Sequence, residues 1–202
     1  MSVSPSGMVY LFSDRFVEEA RFLGEDVPCT DAKVKQDKLA VNLVAAAVSW
    51  LYRNHHIELH FGKRSKMLGL RKADTLVIEK VNKPPIHQDS LETILWDKAG
   101  KGDNLYDLTC KLINRKTKIP VAVIINIVKD YLVKEKYFKK QKRMMFLTQY
   151  IPDCNRIEKI EKELEIPQKL FSLMKQSEKD IYKQIFKDVE AGINTMTEAD
   201  VD

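Results

Sequence analysis

Between Val34 and Asn54 the apolar residues Leu39, Leu43, Ala46, Ala47, Trp50 and Leu51 recur at helical spacing, and the density of Ala and Val predicts a helix buried on more than one side. The period then falls from about 3.6 residues to about 2: Ile57, Leu59 and Phe61 alternate with His56, Glu58 and His60, as in a half-buried strand. Thr75 to Val81 supplies a return strand. From Gly62 to Ala73 the connection holds Gly62, Gly69 and the basic residues Lys63, Arg64, Lys66, Arg71 and Lys72, with no acidic residue. The same order recurs later. Pro120 opens a helix with the apolar face Val123, Ile124, Ile127, Val128 and Tyr131, and a new element begins at Leu132. Tyr137 to Ile151 reads as a second hairpin, with Lys139 to Arg143 at its centre and Met144 to Leu147 following. A helix followed by a basic hairpin is the layout of a winged-helix unit. No residue identity links the two units, so they are not a sequence repeat.

The remaining segments read as helices. Residues 10 to 24 predict a short one, capped by Ser13 or Asp14, with Phe16, Ala20 and Leu23 on one face and Gly24 as its stop. A loop follows from Glu25 to Thr30. Asp89 to Lys98, opened by Asp89 or Ser90, and Leu105 to Ile113 predict two more helices. Beyond Asp153, Ile157, Ile160 and Leu164 mark one amphipathic helix, Pro167 restarts another, and Ile181, Ile185, Val189 and Ile193 stand at i, i+4 steps. The expected fold is a compact helical protein, mainly α with small β-hairpins in winged-helix-like units. Residues 8–152 form a helical domain with two basic hairpins, 153–194 form C-terminal helices packed on it, and 195–202 form a frayed acidic tail.

Charge sharpens this picture. The net charge of +5 is matched by the single segment Lys129 to Arg143, which holds seven basic residues and two acidic ones, whereas Asp153 to Asp202 carries a net −4. No apolar run approaches the roughly 20 residues that span a bilayer. The segment from Met1 to Gly7 lacks the basic and apolar regions of a secretory leader, which predicts a cytoplasmic location, peripheral on a membrane surface where the basic hairpin binds one. Cys29, Cys110 and Cys154 are far apart and odd in number, which argues against a disulfide scaffold and for a reducing compartment.

Candidate chemistry is sparse. Alternation would place His56, Glu58 and His60 on one strand face, the nearest approach to a metal site, with a solvated polar face as the default. Phosphate-cradling glycine loops and nucleophile elbows are absent, and Cys29 reads as a loop or core cysteine rather than a reactive thiol. The expectation is a non-enzymatic protein without a cofactor. Lys139, Lys140, Lys142 and Arg143 stand beside the apolar Met144, Met145, Phe146 and Leu147, a composition that suits interfacial contact with an anionic membrane. The same residues also fit a hairpin whose apolar side chains fill its own core, or a wing that places Lys and Arg on nucleic-acid phosphates. A scaffold that dimerises through its C-terminal helices is the remaining alternative.

Three stretches carry a resemblance: Phe16-Val-Glu-Glu-Ala-Arg-Phe-Leu-Gly24, Ser49-Trp-Leu-Tyr-Arg-Asn-His-His-Ile-Glu-Leu59, and Asn126-Ile-Val-Lys-Asp-Tyr-Leu-Val133 leading into the second hairpin. Their order resembles the Golgi phosphoprotein 3 family over about residues 16–152. The resemblance implies a helical peripheral membrane protein that binds phosphoinositides and inserts a hydrophobic hairpin, with Met144 to Leu147 at the position of the tip. It also implies an anion pocket on the helix before that hairpin. There the family's arginines give way to Lys116 and Lys118, which would act as point charges without bidentate geometry.

Overall fold

The computed structural model describes residues 2–66, 71–85, 88–113, 119–143 and 147–198. The described residues are mainly helical, with eight α-helices, and their strands form three two-stranded antiparallel sheets. The expectation of a mainly α protein with small hairpins agrees with this architecture. In chain order the elements are α1 (Pro5–Leu11), β1 (Glu25–Asp26), β2 (Lys33–Val34), α2 (Gln36–Arg53), β3 (Ile57–Lys66), β4 (Arg71–Lys80), α3 (Leu91–Lys98), α4 (Leu105–Ile113) and α5 (Pro120–Lys134). Then come β5 (Phe138–Arg143), β6 (Leu147–Pro152), α6 (Cys154–Glu158), α7 (Glu165–Ser177) and α8 (Lys179–Glu198). The buried apolar residues form one cluster running from Val3 to Met196, so the C-terminal helices share the core of the preceding ones.

Helix α2 lies at the centre and buries every residue from Leu43 to Ser49. It touches α1, α3, α5, α7 and α8, which cover it on all sides, as its run of small and branched apolar residues demands. Both α2 and α5 end in the same way. At α2, the amide of His56 donates to Leu51 O at 2.9 Å, that of His55 donates to Tyr52 O at 3.1 Å, and His55 takes φ 57°. At α5, Tyr137 donates to Leu132 O at 2.9 Å, Lys136 donates to Val133 O at 3.0 Å, and Lys136 takes φ 63°. Each helix thus stops on a left-handed residue whose reversal satisfies the terminal carbonyls and throws the chain out as a strand. The returns match too, since Val81 N bonds His56 O and Asp153 N bonds Tyr137 O. The two units are alike in backbone hydrogen bonding without residue identity.

Helix α8 fixes the first hairpin through one buried carboxylate. Asp188 accepts from Thr75 Oγ1 at 3.0 Å and from Leu76 N at 2.8 Å, while Gln184 Nε2 reaches both Asp74 O and Asp188 Oδ1. Another buried carboxylate serves α1. Glu92 on α3 accepts from Ser6 N at 2.8 Å and Ser6 Oγ at 3.0 Å, covering donors at the N-terminus of α1 that the helix itself leaves free.

Several boundaries differ from the sequence expectation. Residues 10–24 do not form one helix: α1 starts at Pro5, behind the cap of Ser4, and ends at Leu11. The Ser-Pro step is a helix start, with the Ser4 hydroxyl accepting from Gly7 N. After a short 3-10 turn at Ser13–Arg15, the chain pairs with β2 instead, through Ala20 N to Lys33 O and a bridge between Glu19 and Val34. Phe22 and Leu23 therefore stand in solvent rather than on a buried helix face. No new element begins at Leu132, because α5 runs to Lys134 and stops only at the Lys136 reversal. The amphipathic stretch Ile157 to Leu164 splits into α6 and a 3-10 turn at Glu161–Leu164, and Pro167 sits within the first turn of α7, where its missing N–H has no helical partner to lose. At the C-terminus α8 continues to Glu198 with Met196 buried, so the expected fraying from Thr195 is displaced, and residues 199–202 lie outside the described residues.

The expectation that no disulfide forms is also corrected. Cys29 and Cys154 form one across 125 residues, with Cα atoms 5.5 Å apart. The fold creates this pair by laying the loop between β1 and β2 against the first residue of α6, which local cysteine spacing cannot reveal. Cys110 stands outside the disulfide.

The disulfide and the buried Glu92 can both be measured in solution. The unfolded, unreduced chain should titrate one thiol, and three after reduction; Cys29→Ser should lower stability by about 2 to 4 kcal/mol, measured by urea denaturation. Burial raises the Glu92 carboxyl above its usual range, so the folded chain keeps this proton to higher pH than the unfolded chain. The stability it contributes is complete below the unfolded value of about 4.3 and is lost as pH rises through the folded one. Glu92→Gln should therefore gain on the wild type as pH rises from acid to neutral in urea titrations. A difference that stays constant with pH would contradict this linkage.

Candidate functional site

The second hairpin is the most basic element of the fold, because its strands, Phe-Lys-Lys-Gln-Lys-Arg and Leu-Thr-Gln-Tyr-Ile-Pro, hold no acidic residue. Its register sorts these residues onto two faces. Phe138 opposes Pro152, Lys140 opposes Tyr150 and Lys142 opposes Thr148, while Lys139 opposes Ile151 and Gln141 opposes Gln149. Phe138 is buried, so its face is the one that turns toward the helical body at the hairpin root. Lys139, Gln141, Gln149 and Ile151 form the outward face, all exposed.

Two cations of this region, Lys140 and Lys129, are already neutralised. Lys140 Nζ lies 2.6 Å from Asp130 Oδ1 on α5, and the same oxygen accepts from the Tyr150 hydroxyl at 2.8 Å. Hydrogen bonding to Asp130 raises the Lys140 ammonium above its ordinary range, and burial, followed by the Asp130 bond, raises the Tyr150 phenol. Next to Asp130 on the same helix, Lys129 pairs with Glu25 at the start of β1, and both side chains are largely buried, at 16% and 11% exposure. Glu25 also accepts from the Tyr10 hydroxyl at 2.8 Å, and Lys129 lies 5.3 Å from the centre of the Tyr150 ring. Burial and then the Glu25 charge push the Tyr10 phenol well above its normal value. A cavity of about 370 Å³ lies here, with Glu25, Asp26, Thr30, Thr148, Gln149 and Tyr150 in its lining. Cys29 of the disulfide also lines it.

Lys139 and Lys142 differ from these paired cations. Both are exposed, and neither makes an ion pair among the described residues. Of the other residues expected to form the site, Lys116, Lys118, Met144, Met145 and Phe146 lie outside the described residues, and only the backbone is described for Arg143 and Leu147. The structure thus brings Lys139, Lys140 and Lys142 onto one hairpin and assigns Lys140 a local partner.

The other candidate centre is rearranged. His56 is not on the strand face with Glu58 and His60; its ring is buried against Trp50, 5.0 Å between centroids, and its Nδ1 faces Asn82 O at 3.2 Å. The residue precedes β3 and belongs to the helix-stop motif, which turns it inward. Its place beside His60 is taken by Glu79, which pairs across the sheet with Glu58. The ligand atoms of Glu58, His60 and Glu79 lie within 4.8 Å of one another, all exposed. Three donors on an open surface can offer part of a metal shell, and solvent would have to supply the rest. The Cys29 sulfur, bonded to Cys154, is no thiol nucleophile.

Glu25, Lys129, Asp130 and Tyr150 carry no mark of a shared site in the sequence pattern. The Lys140–Tyr150 cross-strand pairing depends on the hairpin register, and Glu25 on β1 reaches Lys129 on α5 only in the folded chain. Comparison with protein-family models, with curated proteins and with solved structures finds no match to this chain.

The Glu25–Lys129 pair has a measurable consequence. Glu25→Gln should cost about 3 kcal/mol in urea denaturation, because it leaves a mostly buried ammonium without its counter-charge. Adding Lys129→Met should recover part of that loss, and additive effects of the two changes would show that the pair is uncoupled.

Proposed function

We propose that this chain is a non-enzymatic module that docks on an anionic phospholipid surface through the β5–β6 hairpin. The observation that carries the reading is the division of the cations at that hairpin. Lys129 on α5 and Lys140 on β5 are neutralised by Glu25 and Asp130, whereas Lys139 and Lys142 are exposed without counter-charges among the described residues, on strands free of carboxylates. Cations held for stability need partners close by. Exposed cations without partners suit an anion brought from outside. The apolar sequence Met144 to Leu147, which follows Arg143 in the chain, adds groups that an interface would bury. Phosphoinositide head groups fit the same chemistry, in line with the resemblance of the Phe16, Ser49 and Asn126 stretches to the Golgi phosphoprotein 3 family.

The test is co-sedimentation at physiological salt with vesicles of phosphatidylcholine alone and with an equimolar mixture of phosphatidylcholine and phosphatidylserine. The wild type should bind only the mixture. Lys139→Ala/Lys142→Ala should weaken binding by about 2 kcal/mol, roughly thirtyfold, at about 1 kcal/mol per lysine. Met144→Asp/Phe146→Asp should also weaken it in a folded protein. Absence of wild-type binding to the anionic vesicles would overturn the proposal, and salt-steep binding to duplex nucleic acid in its place would favour phosphates of that origin.

A further inference from the structure

The loop between Ala20 and Gly24 carries the most exposed large apolar side chains of the described residues, Phe22 at 88% and Leu23 at 95% exposure. This is not a slack segment. Its two ends are pressed together: a Cβ built on Gly24 would lie 2.7 Å from the Ala20 Cβ and 2.6 Å from Val34 O, so only glycine closes the base. Ala20 N bonds Lys33 O at 2.8 Å and Glu19 bridges Val34, which anchors the entering strand on β2. Arg21, Phe22 and Leu23 are left as a narrow convex tip. Of the neighbouring carboxylates, Glu18 pairs with Lys35 at 2.5 Å and Asp26 with Lys33 at 2.8 Å, while the exposed Glu19 and Arg21 make no ion pair among the described residues.

The tip is joined to the basic hairpin through one cavity. Gly24 leads directly into Glu25 and Asp26, which line that cavity together with Thr148, Gln149 and Tyr150 of β6. The Cys29–Cys154 disulfide and the Glu25–Lys129 pair hold this loop region to the hairpin's root. We infer that Phe22 and Leu23 are a second membrane anchor, inserting into the apolar edge of the same anionic bilayer whose head groups the β5–β6 hairpin meets, with Arg21 at the phosphate level.

The partner is argued from shape and charge. A docking partner of protein type needs a broad patch, about 800 Å² per side for a stable complex, and two side chains on a convex tip fall far short of it. A bilayer accepts an isolated apolar tip, because lipid closes around any shape, and a flanking arginine gains from anionic head groups. One weak anchor gives only marginal, reversible attachment, and stable attachment takes two signals. The fold supplies two, one electrostatic and one apolar, joined through one cavity.

This inference rests on the membrane reading of the hairpin, and the experiment separates the two. Phe22→Asp/Leu23→Asp, whose side chains are already in solvent, should keep the wild-type melting temperature and bind vesicles of equimolar phosphatidylcholine and phosphatidylserine at least tenfold more weakly. In a second variant, Leu23→Trp, vesicles with brominated acyl chains should quench fluorescence beyond the quenching of wild-type Trp50 and Trp96. Suppose instead that the wild type binds and Lys139→Ala/Lys142→Ala is impaired, while Phe22→Asp/Leu23→Asp binds normally and Leu23→Trp shows no added quenching. The second anchor is then overturned and the hairpin reading stands. Failure of the wild type to bind overturns both. A concentration-dependent dimer of the wild type that the Phe22→Asp/Leu23→Asp change dissolves would also overturn the anchor, by assigning the tip to contact between copies of this chain.

Discussion

Helix α2 has no face for water between Leu43 and Ser49, and the remainder of the architecture answers that constraint. A helix buried all round must be enclosed, and α1, α3, α5, α7 and α8 enclose it. The enclosing helices then have little room for charge inside. The buried carboxylates Glu92 and Asp188 are each held by donors: Glu92 by Ser6 at the start of α1, Asp188 by Thr75 and Leu76 of β4. They act as brackets between elements, one fastening α1 to α3 and the other fastening the first hairpin to α8. Most of the chain's other charge has to leave the core, and the left-handed stops at His55 and Lys136 are where the two basic hairpins leave it.

Those stops explain which parts of the fold were legible in the sequence. The long helices and both hairpins announce themselves through a change of apolar period, a local signal that burial enforces, and Pro120 and Ser90 mark helix starts by side-chain chemistry. The segment from residue 10 to 24 misleads because Phe16, Ala20 and Leu23 keep helical spacing by accident. What decides it is non-local: the carboxylate of Glu92 rewards a helix starting at Pro5, and β2 offers Ala20 and Glu19 a strand partner. The Cys29–Cys154 pair is hidden for the same reason, since only the folded chain brings a loop and a helix start together across 125 residues. At the candidate site, the excess of Lys in β5 was visible. Its division into neutralised and unpaired cations was not, because Asp130 lies on α5 and Glu25 on β1, and the register alone sets Tyr150 opposite Lys140.

The same division gives the functional account its shape. Lys129 and Lys140 have counter-charges within hydrogen-bonding reach and serve the join between hairpin and body, while Lys139 and Lys142 pair with no carboxylate among the described residues. The apolar tip at Phe22 and Leu23 stands on a loop that the disulfide and the Glu25–Lys129 pair hold near the hairpin root. Electrostatic attraction over the range of a Debye length and short-range burial of two side chains are different forces. On a charged bilayer they act together. Amide hydrogen exchange with and without vesicles of equimolar phosphatidylcholine and phosphatidylserine tests this account most directly. It predicts vesicle-dependent protection at residues 20–26 and 139–150 with α2 and α8 unchanged. Protection centred on other elements, or none, would contradict it.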